Sequence, residues 1–118
     1  PTILTRLPPA SRVLREEIFG PVVTIIEVDT PEEAVCVAQD TEYGLAASVW
    51  TSDMNRAHHI SRTLRAGTVW VNTYDKSSMA TPFGGFKQSG FGRDRSHFAL
   101  DKYSDLKTIW THFPRHPT

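Results

Sequence analysis

Leu45-Ala46-Ala47-Ser48-Val49-Trp50-Thr51 and Thr68-Val69-Trp70-Val71-Asn72 flank a stretch, Ser52 to Arg65, on which Met54, Ala57, Ile60 and Leu64 recur at helical spacing. The order is strand, helix, strand, and such a unit favours parallel pairing through a right-handed crossover. Ser52 is expected to cap the helix through its hydroxyl, and Gly67 to end it.

The same alternation extends upstream. Val22-Val23-Thr24-Ile25-Ile26-Glu27-Val28 is β-branched and nearly all apolar, the pattern of a strand buried on both faces. Asp29-Thr30-Pro31-Glu32-Glu33 follows, with Thr30 as N-cap, Pro31 at the first helical position and Glu33 closing a capping box. The helix should run to about Gln39 with Ala34, Val37 and Ala38 inward and Val35 alongside, ending before Gly44, which can take a positive φ. Downstream, residues 73–94 are rich in Gly, Ser, Pro and Phe and read as a long structured loop that allows close backbone approach. Ser96 should cap a short helix carrying Phe98, Leu100 and Tyr103, and Leu106-Lys107-Thr108-Ile109-Trp110-Thr111 should close as a strand before a frayed tail from His112 to Thr118. The fold class expected is α/β: a parallel-sheet layer with flanking helices, a long Gly/Phe loop and a final strand.

Composition narrows the function. With 118 residues, 39% hydrophobic and 22% charged, the chain has the balance of one soluble globular domain, yet it is small for a cofactor site plus a substrate cavity. A piece of a longer polypeptide is therefore expected, in keeping with a start at Pro1-Thr2-Ile3-Leu4 rather than at methionine. Thirteen basic and thirteen acidic residues cancel, which argues against nucleic acid or an anionic membrane as partner. One cysteine, Cys36, forms no internal disulfide, and neither a signal peptide nor a long apolar run is present, so a cytoplasmic location is expected.

Several motifs invite chemistry and do not carry it. The glycines from Gly84 to Gly92 lack the Gly-Lys-Ser/Thr of a phosphate loop, and Gly90-Phe91-Gly92 meets Arg95 where a dinucleotide fingerprint needs its third glycine. Neither strand-to-helix turn contains a glycine, so the dinucleotide-binding half is absent. His58 and His59 point about 100° apart on a helix, and His112 and His116 lie in the tail, which favours surface histidines over metal ligands. Cys36 sits mid-helix, away from any glycine elbow or helix start, and is expected to pack in or near the core, so a small hydrolase built on it lacks support. Glu16-Glu17-Ile18-Phe19-Gly20-Pro21 is more informative, because a carboxylate can accept both hydroxyls of a ribose diol and an aromatic two residues on can flank a flat heterocycle. From the residues alone, a solvated acidic turn is the simpler account.

Three separated motifs shift that balance. Glu16-Glu17-Ile18-Phe19-Gly20-Pro21, Tyr43-Gly44-Leu45-Ala46-Ala47, and Ala66-Gly67-Thr68-Val69-Trp70-Val71-Asn72 followed by Pro82-Phe83-Gly84-Gly85-Phe86-Lys87-Gln88-Ser89-Gly90 occur in this order. Together the sequence resembles the C-terminal part of the aldehyde dehydrogenase superfamily's catalytic domain, from Pro1 to about Trp110. Gly92-Arg93-Asp94 and the run from Leu100 to Trp110 are similar to γ-glutamyl-γ-aminobutyraldehyde dehydrogenases of putrescine catabolism.

The resemblance implies NAD(P)-dependent oxidation of an aldehyde by a cysteine nucleophile, with hydride passing to NAD or NADP and a glutamate-activated water releasing the acid. It places the nucleophile, the general base, the oxyanion-hole asparagine and the cofactor domain in the remainder of the enzyme, so the isolated segment is expected to be inactive. Residue by residue, it assigns Glu17 to the nicotinamide ribose, Phe19 to the nicotinamide side of the cofactor and Phe83 to the substrate tunnel. Tyr74, Asp75 and Ser77 fall on the variable loop that shapes substrate choice; an acid at Asp75 could attract an amine-bearing aldehyde, although a loop carboxylate is more often simply solvated. Asp94 stands where many members carry glutamate, one methylene longer. The resemblance also makes Lys107 to Thr111 a homo-oligomerisation strand that extends a neighbouring subunit's sheet, dividing the chain into 1–105 and 106–118. A non-catalytic assembly or binding module using that last strand is the alternative from another class.

Overall fold

Thr30 accepts a hydrogen bond on its hydroxyl from the Glu33 N–H (3.1 Å) while the Glu33 carboxylate accepts one from the Asp29 N–H (2.9 Å), and this reciprocal cap starts helix α1 (Pro31–Gln39) where the sequence places it. The computed structural model describes residues 1–114; the end of the expected frayed tail, with His116, lies outside the described residues. Around α1 the chain forms β1 (Thr2–Thr5), β2 (Val22–Ile25), β3 (Tyr43–Gly44), β4 (Ala46–Val49), helix α2 (Met54–Thr63), β5 (Thr68–Val71) and β6 (Phe86–Lys87), with 3₁₀ helices at Arg12–Leu14 and His97–Lys102.

The central unit is the expected one. β4 and β5 are parallel, with Ala46 opposite Thr68 and Val49 opposite Val71, and α2 makes the crossover between them. Asp53, not Ser52, caps α2: its carboxylate accepts from the N–H groups of Asn55 (2.9 Å) and Arg56 (3.2 Å), two donors that the shorter serine side chain one residue earlier would not reach together. Ala57 is buried, and Ile60 and Leu64 are half-buried, whereas Met54 projects into solvent.

Other expectations need correction. β2 does not join β4 in one layer. It pairs in parallel with β1, a strand its short Thr-Ile-Leu-Thr run did not announce, and the structure holds three two-stranded sheets, the third an antiparallel β3–β6 pair. β2 is also shorter than residues 22–28 and is not covered on both faces: Val22 and Thr24 are half-buried, while Val23 and Ile25 are exposed. On α1 only Val35 is buried, and Cys36, expected in or near the core, is exposed. Residues 106–111 form no strand. A strand needs a hydrogen-bonded neighbour, and no described residue of this chain supplies one.

Two glycines act through close approach. Gly44 takes no positive φ; it is buried in β3, where a Cβ would come within 2.6 Å of the Arg65 carbonyl oxygen. At Gly67 a Cβ would overlap the Gly84 carbonyl, so this position sets how tightly the Gly/Phe loop lies against the start of β5. Packing is otherwise sparse. Val35, Val49 and Ala57 are the buried hydrophobic residues among those described, none of them completely, and the shape is elongated, 86 × 34 × 25 Å. The radius of gyration of 21.8 Å exceeds the roughly 13.5 Å expected of a compact domain of this length. In the full protein carrying this segment, Gly67→Ala is expected to lower stability by on the order of 1–3 kcal/mol, as overpacking does; an unchanged unfolding temperature would show that the loop is not seated on Gly67.

Candidate functional site

The acidic turn before β2 is built by two arginines. Arg12 donates from Nε and Nη2 to the two carboxylate oxygens of Glu16 (2.7 and 2.8 Å), one turn along. Arg15 reaches across to Asp40 at the end of α1, donating at 3.3 and 2.8 Å. Hydrogen bonding from Arg12 holds the Glu16 carboxyl below the usual carboxylate range, and that from Arg15, joined by its charge, does the same for Asp40. Both pairs are solvent-exposed, so their role is geometric more than energetic.

Glu16 is thereby occupied and Glu17 is not. Among the described residues the Glu17 side chain makes no hydrogen bond or ion pair, and it is exposed. Two residues on, Phe19 has φ of 53° and is 90% exposed. An aromatic residue in the left-handed region is strained, and such strain gathers at sites that present a group to something else. The turn then closes through the Val22 N–H to the Gly20 carbonyl (2.8 Å) and is tied to β1 by the Thr2 N–H to the Pro21 carbonyl (2.8 Å).

The substrate-side candidates lie elsewhere, on the segment after β5. Asn72, also at positive φ, accepts from the Thr51 N–H and donates to the Thr51 carbonyl, both at 2.8 Å, joining the ends of β4 and β5. Immediately beyond, the Tyr74 ring packs on Trp70 (centroids 5.3 Å apart, planes at 58°), Asp75 takes a φ of 53°, and the Trp70 indole N–H donates to the Lys76 carbonyl (2.7 Å). Tyr74, Asp75 and Ser77 are exposed together on this loop. Phe83 is half-buried: its backbone bridges Asp94 through two hydrogen bonds of 2.8 and 2.7 Å, and the Arg95 guanidinium lies 5.2 Å above its ring.

The glycine loop between them is a packed connector. Lys87 donates from Nζ to the Gln39 and Thr41 carbonyls (2.9 and 3.0 Å), so a loop cation satisfies carbonyls around the exit of α1. Arg93 donates to the Gly85 and Gly92 carbonyls (3.0 and 2.7 Å) and lies 5.0 Å over the Phe86 ring. Asp94 pairs with Lys102 at 2.7 Å. Asn72, Lys87 and Arg93 were not singled out as site-forming from sequence. The signal available was their place inside the Trp-Val-Asn and glycine motifs, which says nothing of their partners.

Among the described residues no group of three His, Cys, Asp or Glu side chains could hold a metal, and no helix is long and apolar enough to cross a membrane. Residues 1–109 match the model of the aldehyde dehydrogenase family.

The chain belongs to the aldehyde dehydrogenase family.

Relatives within the family are similar over nearly the whole segment. It is 52% identical over 110 residues to the NADP/NAD-dependent aldehyde dehydrogenase PuuC of Escherichia coli, covering 93% of this chain and 22% of that protein. It is 50% identical over 111 residues to an aminoacetaldehyde dehydrogenase of Pseudomonas aeruginosa, again with 93% and 22% covered. Among solved structures, the indole-3-acetaldehyde dehydrogenase AldA of P. syringae, in complex with NAD+ and IAA, superposes with a TM-score of 0.85 at 54% identity over 94% of this chain and 22% of that one. The segment thus spans about a fifth of the length of the aldehyde dehydrogenases it matches.

Proposed function

We propose that this aldehyde dehydrogenase segment supplies the nicotinamide-ribose contact and part of the aldehyde-side wall of an NAD(P)-dependent enzyme whose nucleophilic cysteine lies in the remainder of the protein. The carrying observation is the pairing of an unoccupied carboxylate, Glu17, with an aromatic held exposed in a strained conformation, Phe19. That pair fits the donor set of a ribose diol and the face of a flat ring. Bound NAD or NADP would serve as hydride acceptor; the residues here bind and orient. Cys36 is a poor candidate for the nucleophile, being exposed on α1 with no base hydrogen-bonded to it among the described residues.

The whole enzyme, on this reading, oxidises an aldehyde to a carboxylic acid, and an aminoaldehyde of putrescine catabolism is the substrate class favoured. Asp75 supports it, as an acid projected from the loop that also presents Tyr74 and Ser77, and so do PuuC and the aminoacetaldehyde dehydrogenase among the relatives. A reducing cytoplasm suits the unpaired cysteine. The exposed stretch that includes Leu106, Ile109 and Trp110, unpaired among the described residues, favours an assembly role for 106–118, with Lys107 to Thr111 adding to the sheet edge of a second copy. The division at 105/106 follows from that role.

In the full-length protein, Glu17→Gln is expected to raise the KM for NAD(P)+ by about tenfold or more, the loss of a charged hydrogen bond, with the KM for aldehyde unchanged; an unaltered cofactor KM would remove Glu17 from the site. Asp75→Asn should raise the KM for a cationic aminoaldehyde about two- to fivefold, as befits an exposed charge pair, and leave a neutral aldehyde alone. If both substrates respond alike, the aminoaldehyde assignment fails. Deleting 107–118 should reduce the oligomer mass in sedimentation equilibrium, and an unchanged mass would exclude the strand-addition role.

A further inference from the structure

The segment from Tyr74 to Phe83 is fastened at both ends by side chains that stand outside it. At the near end Trp70, on β5, makes two contacts of different kinds: its indole N–H donates to the Lys76 carbonyl at 2.7 Å, and its ring packs on Tyr74 at 5.3 Å. The carbonyl it engages follows Asp75, whose left-handed φ turns the chain, so one side chain closes the turn that presents Tyr74 and Asp75. At the far end Arg95 lies 5.2 Å over the Phe83 ring, directly after the Asp94 backbone bridge to Phe83. Arg95 and Ser96 both have positive φ, and the Ser96 N–H donates to the Met79 carbonyl at 2.8 Å, so the strained pair faces the loop with a side chain from one residue and an amide from the next. Between these fastenings the loop is exposed and, among the described residues, holds itself through a local turn at Ser78 and Thr81.

We propose that Trp70 and Arg95 are positioning residues that preset the Tyr74–Phe83 segment from its two ends, and through it determine which aldehydes the full-length enzyme accepts. This rests on the proposed placement of that segment along the substrate path. Neither residue needs to touch substrate. Their effect is to remove alternative loop conformations before binding, which lowers the ordering cost of substrates large enough to meet the loop. A small aldehyde that does not reach it gains nothing.

The test uses the full-length enzyme with NAD+ or NADP+, with acetaldehyde as the small substrate and a long-chain aminoaldehyde as the large one. Trp70→Phe keeps a ring against Tyr74 and loses the N–H donor; Arg95→Met keeps length and loses the cation; Arg95→Lys keeps the cation. Trp70→Phe and Arg95→Met are each expected to raise the KM for the long aldehyde about two- to fivefold, the scale of one hydrogen bond or one cation–π contact. The kcat should stay within about twofold and the acetaldehyde KM should not move, while Arg95→Lys recovers most of the loss. Unchanged KM values would overturn the proposal, as would equal losses on both aldehydes together with a lower unfolding temperature, or an Arg95→Lys variant no better than Arg95→Met. Should Trp70→Phe fail to fold, the two Arg95 variants decide alone. A wild-type protein that oxidises neither aldehyde would defeat the underlying functional reading, an outcome distinct from normal turnover with indifferent variants.

Discussion

The double hydrogen bond between the Asn72 side chain and the backbone of Thr51, both arms 2.8 Å, is the constraint on which the geometry of the loop after β5 depends. β4 and β5 are only four residues each, and a two-stranded parallel ladder of that length is marginal by itself. An amide side chain that mimics one more rung extends the ladder past Val71 and holds the two strand ends at a fixed spacing. The chain leaves Asn72 in a left-handed conformation, which asparagine tolerates better than most residues, and this aims the following loop back toward Trp70. A valine or leucine at 72 would lose both the extra rung and the exit direction.

Local chemistry is what the sequence disclosed best. The cap of α1 is written in five consecutive residues, and the β4–α2–β5 unit in the change from strand runs to helical spacing; both need only neighbours along the chain. Pairing partners were less legible. Val22 to Val28 reads as a strand covered on both faces, because β-branched apolar residues suit burial by any neighbour, yet here it has β1 on one edge, one half-covered face and one exposed face. The same ambiguity applies to 106–111, where strand-like residues stand without a strand to join among the described residues. Gly44 and Gly67 were recognisable as special, but a positive φ and a close contact leave the same glycine in the sequence; only the neighbouring carbonyls of Arg65 and Gly84 distinguish them.

Of the candidate site, the residue types were legible through the family motifs and the reasons for their placement were not. Glu16 and Glu17 are adjacent and identical in kind. Arg12 separates them, because its one-turn spacing reaches Glu16 with a bidentate grip and leaves its neighbour unoccupied. In the same way Lys87, within a glycine-rich run that invites thoughts of phosphate, spends its charge on carbonyls of the α1 exit. These are contacts over long sequence separations or dependent on side-chain direction, and no pattern of residue types alone encodes them.

Positive φ values link the two halves of the site. Asn72, Lys87 and Arg95 all adopt the left-handed region at a cost on the order of 1–3 kcal/mol each for non-glycine residues, and each has a visible compensating interaction: the Thr51 rung, the α1 carbonyls and the Phe83 ring. Phe19 has the same backbone conformation and, among the described residues, no hydrogen-bonded or aromatic partner for its ring. Its conformation is set by the turn alone, between the arginine-fixed helix at Arg12–Leu14 and the β1–β2 ribbon. A large apolar ring held out in solvent also forgoes transfer free energy, a term that a flat apolar partner would recover while the backbone strain remained. Among the described residues, then, nothing offsets the strain at Phe19, in contrast to Asn72, Lys87 and Arg95, whose left-handed backbones each come with a contact that the structure shows.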